Sequence, residues 1–131
     1  MKELNAITKM VRCLKNSGNQ YDYILTIARG GLVPAQFVAY ALDIKAVHVI
    51  TNIRGGYPRT QPNMKCLIVD DINDTSKTTG AMKDFVMNNR LAGSVDVAVM
   101  YERHNAPLKA DFVGDIVADD GWLEFTWDKE L

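Results

Sequence analysis

Apolar positions recur every three or four residues at the start of the chain. Leu4, Ile7, Met10, Val11 and Leu14 share one side of a helix over the first sixteen residues, closed by the turn signal Asn16-Ser17-Gly18-Asn19. This helix is expected to cap a sheet. From Tyr21 the pattern changes to β-branched and aromatic residues (YDYILTIA, 21–28), a strand that ends at Arg29-Gly30-Gly31. A helical pattern follows from Val33 to Leu42, with Pro34 tolerable in its first turn. Lys45 to Thr51 (KAVHVIT) reads as a second strand, and the polar stretch Asn52 to Asn63, with Gly55-Gly56 and two prolines, as a loop. Lys65 to Asp71 (KCLIVDD) is a third strand, expected to be buried on both faces. A polar turn, Asn73 to Thr79, leads to a helix over Gly80 to Leu91, with Met82, Phe85, Val86 and Asn89 on one side. Ser94 to Tyr101 and Asp111 to Ala118 give two more strands, and Trp122 to Phe125 a short last one.

Strands alternating with helices predict an α/β fold, a single doubly wound domain with a mainly parallel sheet and flanking helices. Ligands of such sheets sit at the carboxyl ends of strands. That rule selects Arg29 to Gly31, Asn52 to Asn63, Asp70 to Thr78 and Tyr101 to Asn105, all of which follow strands.

Length and composition narrow the class. The 131 residues suit one domain, and 47% hydrophobic with 24% charged residues is a globular composition, not a disordered or coiled-coil one. No apolar run approaches the roughly 18–20 residues of a membrane span, and the first residues lack the apolar block of a signal peptide. A soluble, cytoplasmic protein without a membrane partner is expected. Cys13 and Cys66 are too few for a disulfide scaffold or a four-cysteine zinc site, and both are expected reduced and buried. The formal net charge of −1 excludes a strongly basic nucleic-acid binder. The charge is unevenly spread, however. Ile44 to Val69 carries Lys45, Arg54, Arg59 and Lys65 with no acid, which suits a small anionic ligand, while the acids of Asp111 to Glu130 read as a solvated face.

The segment CLIVDDINDTSKT (66–78) concentrates the chemistry. Hydroxyl residues at a strand-to-helix turn leave backbone N–H groups exposed at a helix N-terminus, where a phosphate is favoured. Asp74 and Thr75 could equally serve as helix caps. The adjacent Asp70 and Asp71 at the end of a buried strand repel one another, a cost that sugar hydroxyls or a divalent cation would offset. No Walker A spacing is present. A receiver domain would need acids after the first strand, and the cationic Arg29-Gly30-Gly31 stands there instead.

CLIVDDINDTSKT resembles the phosphoribosyl pyrophosphate (PRPP) signature of type I phosphoribosyltransferases, and IARGGLVPA resembles the pyrophosphate loop of their purine branch. The tail LKADFVGDIVADDGWLEFTWD is similar to that of xanthine-guanine and hypoxanthine-guanine members, so the resemblance runs over about residues 21 to 128. It implies that residues 1–131 form one phosphoribosyltransferase-like domain acting in purine salvage. By resemblance, Asp70 and Asp71 hold the ribose hydroxyls, with Asp71 on the Mg2+ side. Asp74 is the general acid/base facing N7 of the purine, and Thr75, Ser76, Lys77 and Thr78 wrap the 5-phosphate. Arg29 and Gly30 bind pyrophosphate in a loop whose strained peptide bond the glycines permit. Trp122 covers the base, and the Leu123 backbone reads its edge. Arg103 stands where the family uses a lysine against the 6-oxo group, with Glu102 as the other alignment. A homodimer is implied by analogy.

Two departures stand out. Ser76-Lys77 replaces the usual Gly-Gly or Gly-Lys, and a serine could crowd a left-handed turn; the lid, Asn52 to Asn63, is short. His48 reads as a core or edge residue, His104 as a solvated loop residue or ligand contact, and Met82, Met87 and Met100 as packing. The alternatives are a non-catalytic PRPP- or nucleotide-sensing module, a phosphoribosyltransferase for a different base, and an unrelated flavodoxin-like phosphate binder.

Overall fold

In the computed structural model, residues 2–51, 62–118 and Phe125 are described. Five strands, β1 (Tyr23–Ile27), β2 (Val47–Ile50), β3 (Lys65–Asn73), β4 (Ser94–Arg103) and β5 (Phe112–Val117), form one parallel sheet in the order β2-β1-β3-β4-β5. Helices α1 (Lys2–Ser17) and α2 (Leu32–Leu42) cover one face, and α3 (Lys77–Asn88) the other. Strand residues alternate between the two cores: Ile24, Leu67, Val69 and Ala98 pack toward α1 and α2, while Leu25, Cys66, Ile68, Val97 and Val99 pack toward α3. The expected doubly wound sheet is therefore present, and β3 is buried on both faces as a central parallel strand should be.

Chain direction decides where a ligand fits. After β1 the chain crosses to β2 on one side, and after β3 it crosses to β4 on the other. The carboxyl ends of β1 and β3 thus flank a topological switch point, where the connections diverge and leave a crevice. Arg29 to Gly31 leaves β1 there and Asp74 to Ser76 leaves β3 there.

Several expectations shift. α1 lies against β5 and β4, where Gly114 leaves room for its backbone: a β-carbon there would strike the Ala6 carbonyl oxygen. Its buried face includes Glu3, wholly inaccessible, while Leu4 is 42% exposed, because the helix presents Glu3, Ala6, Ile7, Met10 and Leu14 to the sheet. Cys66 is buried, but Cys13 lies off that stripe and is exposed. α3 starts at Lys77 rather than Gly80, since the polar Lys-Thr-Thr forms its first turn, and it ends at Asn88, which leaves Asn89 as an exposed cap. Met82 and Met100 fill the core, whereas Met87 is 47% exposed. β3 and β4 run on past Asp71 and Tyr101 to Asn73 and Arg103, so Ile72, Asn73, Glu102 and Arg103 are strand, not loop. His48 lies on the edge strand β2 with its ring edge-on to Tyr23. Of the last expected strand only Phe125 is described; it is buried outside any strand, 5.8 Å from the Tyr101 ring between centroids.

Candidate active site

The acid pair closes β3. Asp70 is 6% exposed and pairs in register with Val99 of β4. Its carboxylate accepts the Asp71 N–H at 2.8 Å, and the Asp71 carboxylate accepts the Ile72 N–H at 2.8 Å. Burial first, and the neighbouring Asp71 charge second, push the Asp70 carboxyl from its ordinary value near 3.8 up to about 8. The folded protein therefore holds a proton on Asp70 between about pH 4 and 8 that the unfolded chain releases, and stability falls as pH rises through that window. Asp70→Asn removes the buried charge. In metal-free buffer the variant should match wild type near pH 4 and exceed it at pH 9 by about 1–4 kcal/mol. Urea unfolding at the two pH values reads the gap, and a gap that does not widen with pH would contradict this account.

The glycine turn after β1 packs onto these acids. The Ala28–Arg29 peptide is cis, one bond before Gly30. A β-carbon at Gly30 would overlap the Asp71 carboxylate, so the loop backbone lies directly against it. Gly31 is required by space and not by conformation: its φ is −80°, yet a β-carbon would strike the Thr26 hydroxyl and lie 2.9 Å from the Val69 carbonyl oxygen. Arg29 itself is exposed at the crevice.

Residues 70–76 with Thr78 and Thr79 line a cavity of 140 Å³. At its floor Ser76 caps α3 in the left-handed region, with φ +67°, and makes no side-chain bond to the helix amides. Neither Asp74 nor Thr75 is the cap. The first-turn N–H groups of any helix lack intrahelical partners; here Lys77 N–H reaches only Thr75 Oγ1, at 3.4 Å, and no acid lies in the first turn. An anion is the complement of such an end. Thr75, Lys77 and Thr78 are exposed toward solvent, whereas Ser76 is buried and its hydroxyl is turned inward, within 3.1 Å of Asn73 Oδ1 and of Leu108 N and 3.0 Å of the Leu108 carbonyl oxygen. The Ser76 hydroxyl is thus engaged inside the protein, and only the backbone of this residue can face an anion at the helix end.

Asp74 and Arg103 meet beside this cavity, Nε to Oδ1 at 3.5 Å. Arg103 is buried at the end of β4, and its Nη1 donates to the Ala118 carbonyl at 2.9 Å. Glu102 turns elsewhere: as the register partner of Asn73 it accepts Asn73 Nδ2 at 2.8 Å and the Ala110 N–H at 2.6 Å. Of the two alignments open in the sequence, Arg103 is the one beside Asp74. Trp122, Leu123 and nearly all of the loop Asn52 to Asn63 lie outside the described residues. Among the described residues no three His, Cys, Asp or Glu side chains could hold a metal together.

Comparison with known proteins bears on what this arrangement is. The family described as phosphoribosyl transferase domain matches residues 1–130. The chain belongs to this family. It is 28% identical to the xanthine-guanine phosphoribosyltransferase of Idiomarina loihiensis over 99% of this chain and 85% of the relative, and 30% identical to that of Nitratidesulfovibrio vulgaris over 85% and 71%. Two solved structures share the fold. The xanthine-guanine-hypoxanthine phosphoribosyltransferase of Helicobacter pylori has a TM-score of 0.76 at 20% identity, covering 97% of this chain and 88% of that one. A protein of Neisseria gonorrhoeae with bound ppGpp has a TM-score of 0.77 at 22% identity, covering 95% and 84%. Sequence reading missed Thr26, Asn73 and Leu108, whose contributions to the site depend on contacts 29 to 43 positions away and carry no local signal.

Proposed function

We propose that this phosphoribosyltransferase transfers the phosphoribosyl group of PRPP to a 6-oxopurine (guanine, hypoxanthine or xanthine), giving a nucleoside monophosphate and pyrophosphate in cytoplasmic purine salvage. The observation that carries the reading is the contact of Asp74 with Arg103 beside the α3 N-terminus. In a 6-oxopurine, O6 and N7 lie side by side on one edge. A carboxylate next to a guanidinium complements that edge: Arg103 donates to O6 while Asp74 accepts the proton held at N7. Adenine presents an amino group where O6 would be, and a guanidinium repels it. The names of the relatives carry two of these bases, xanthine and guanine.

The remaining roles follow from the chemistry. Departure of pyrophosphate leaves positive charge on the anomeric carbon, as in glycoside hydrolysis, so the leaving group must be neutralised and the base held in line. Arg29 and the Gly30 backbone bind the pyrophosphate; the amides at Thr75 to Thr78, with the Thr75 and Thr78 hydroxyls and Lys77, hold the 5-phosphate. Asp70 and Asp71 take the ribose hydroxyls. The donor set suits Mg2+, a hard cation that is commonly bound by one or two carboxylates together with substrate phosphates, since two adjacent carboxylates end β3 here. Asp71 would hold the ion, which when bound supplies charge neutralisation to the departing pyrophosphate. Trp122 and Leu123 complete the base site. No covalent intermediate is required.

A homodimer is part of this proposal. α2 is apolar apart from Gln36 and the Tyr40 hydroxyl, and Val33, Phe37 and Tyr40 on its outer side, with Val49 of the edge strand, are 37–78% exposed. A second copy of the chain is the occupant that continuity with the Arg29–Gly31 loop favours. Phe37→Glu should convert a dimer to a monomer in light scattering; a wild type monomeric at 50 μM would overturn it.

The function is tested by mass spectrometry of products from Mg2+, PRPP and a mixture of guanine, hypoxanthine, xanthine, adenine and uracil. A 6-oxopurine nucleotide is expected. PRPP binding without product would select a sensing module, an adenine or uracil product a different base, and no PRPP binding would overturn the reading.

A further inference from the structure

The connection from β4 to β5 joins two parallel neighbours through residues 104–111 with no helix or strand. Parallel crossovers ordinarily contain a helix whose packing sets their path. Here side chains from the phosphate loop and strand ends set it. The Leu108 N–H donates to Ser76 Oγ at 3.1 Å, the Leu108 carbonyl accepts Asn73 Nδ2 at 2.7 Å, and the Ala110 N–H donates to Glu102 Oε1 at 2.6 Å. The second Asn73 amide hydrogen goes to Glu102 Oε1 at 2.8 Å, and Asn73 Oδ1 accepts from the Thr79 hydroxyl at 3.2 Å. Asn73, Ser76 and Glu102 are 1%, 7% and 4% exposed, so these bonds form away from water, where each is stronger and leaving one unmade is costly.

Ser76 is the informative member. Its left-handed backbone is disfavoured for a residue with a β-carbon and natural for glycine. Glycine would satisfy the turn, but it could not bond Leu108. Ser76 lies between Thr75 and Lys77 in the phosphate loop, and Glu102 immediately precedes Arg103. We infer that Asn73, Ser76 and Glu102 are positioning residues that clamp the phosphate loop to the 104–111 connection, so that the 5-phosphate end and the base end of the site are held as one rigid piece. The inference rests on the transferase reading above and adds a residue-level coupling between its two substrates.

Ser76→Gly separates this role from a merely structural one. Glycine relieves the turn, so the variant should melt no lower than wild type if the serine matters only locally, and its KM values should then be unchanged. The clamp predicts instead that KM for PRPP rises about tenfold and KM for guanine at least threefold, with kcat within threefold. Glu102→Gln, whose amide oxygen can still accept both bonds, should keep wild-type KM values, while Glu102→Ala should raise the guanine KM. Unchanged KM values in Ser76→Gly overturn the clamp even if Glu102→Ala fails to fold. If wild type binds PRPP without turnover, the transferase reading fails, and the same PRPP ratio measured as Kd by calorimetry still decides the clamp. If wild type binds no PRPP, both fall.

Discussion

Asp74→Asn should lower kcat for guanine by about 10²–10⁴-fold, the usual worth of a positioned general base, with KM for PRPP within about threefold of wild type. Asparagine keeps the shape and one acceptor oxygen but cannot take the proton that the base sheds as its ring nitrogen attacks. Its side chain is 55% exposed and its pairing with Arg103 spans 3.5 Å, so losing that pairing costs folding little, below about 1 kcal/mol. The melting temperature should therefore stay near that of wild type, which makes the kinetic loss chemical and not a loss of folded enzyme. Steady-state kinetics together with a thermal melt checks both halves. A kcat reduced less than threefold would remove Asp74 from the proton transfer, and the Arg103 contact would then serve base recognition alone.

Gly31→Ala should be the most damaging single-methyl change in the described part of the site. The added carbon would collide with the Thr26 hydroxyl, which donates to the Val69 carbonyl at 2.7 Å, and would crowd the carbonyl oxygens of Val69 at 2.9 Å and Ile27 at 3.2 Å. A side chain can rotate away, but two carbonyls in the central strands cannot. Overpacking of this kind costs about 1–3 kcal/mol, and displacing the buried hydroxyl about 1 kcal/mol more, so the melting temperature should fall by roughly 10–20 °C. Adding Thr26→Ala should recover part of the loss, because it removes the nearest obstacle and leaves the carbonyls. A single variant that melts within 3 °C of wild type would mean that the turn after β1 can move, which a loop whose Gly30 lies directly against the Asp71 carboxylate should not do.

The elements were readable because each carries a local signal. β3 is an apolar run bounded by charge, α1 repeats at helical spacing, and Arg29-Gly30-Gly31 marks a turn by composition. The two expected helices of the alternating units and all five described strands are present, with ends shifted by a few residues where β3 and β4 prolong each other's pairing. Individual burial was less legible. Glu3 and Leu4 exchange the places their polarity suggests, because the face that α1 turns inward is decided by its packing on β4 and β5, which are distant in the chain.

The same division runs through the site. By itself the sequence determined the α/β class, the hydroxyl-rich turn that opens α3, the acid pair and the family, since these depend on residue types at fixed short spacings: hydroxyl residues opening a helix, acids ending a strand, glycines where backbone must approach. Only the tertiary structure decided that Arg103 and not Glu102 stands beside Asp74, that Ser76 tolerates a left-handed turn by bonding Leu108, and that Asp70 is the buried acid while Asp71 meets Gly30. The reason is physical. Which of two adjacent strand residues faces a ligand depends on register, a one-residue shift reverses it, and register is fixed by pairing partners that are distant in the chain.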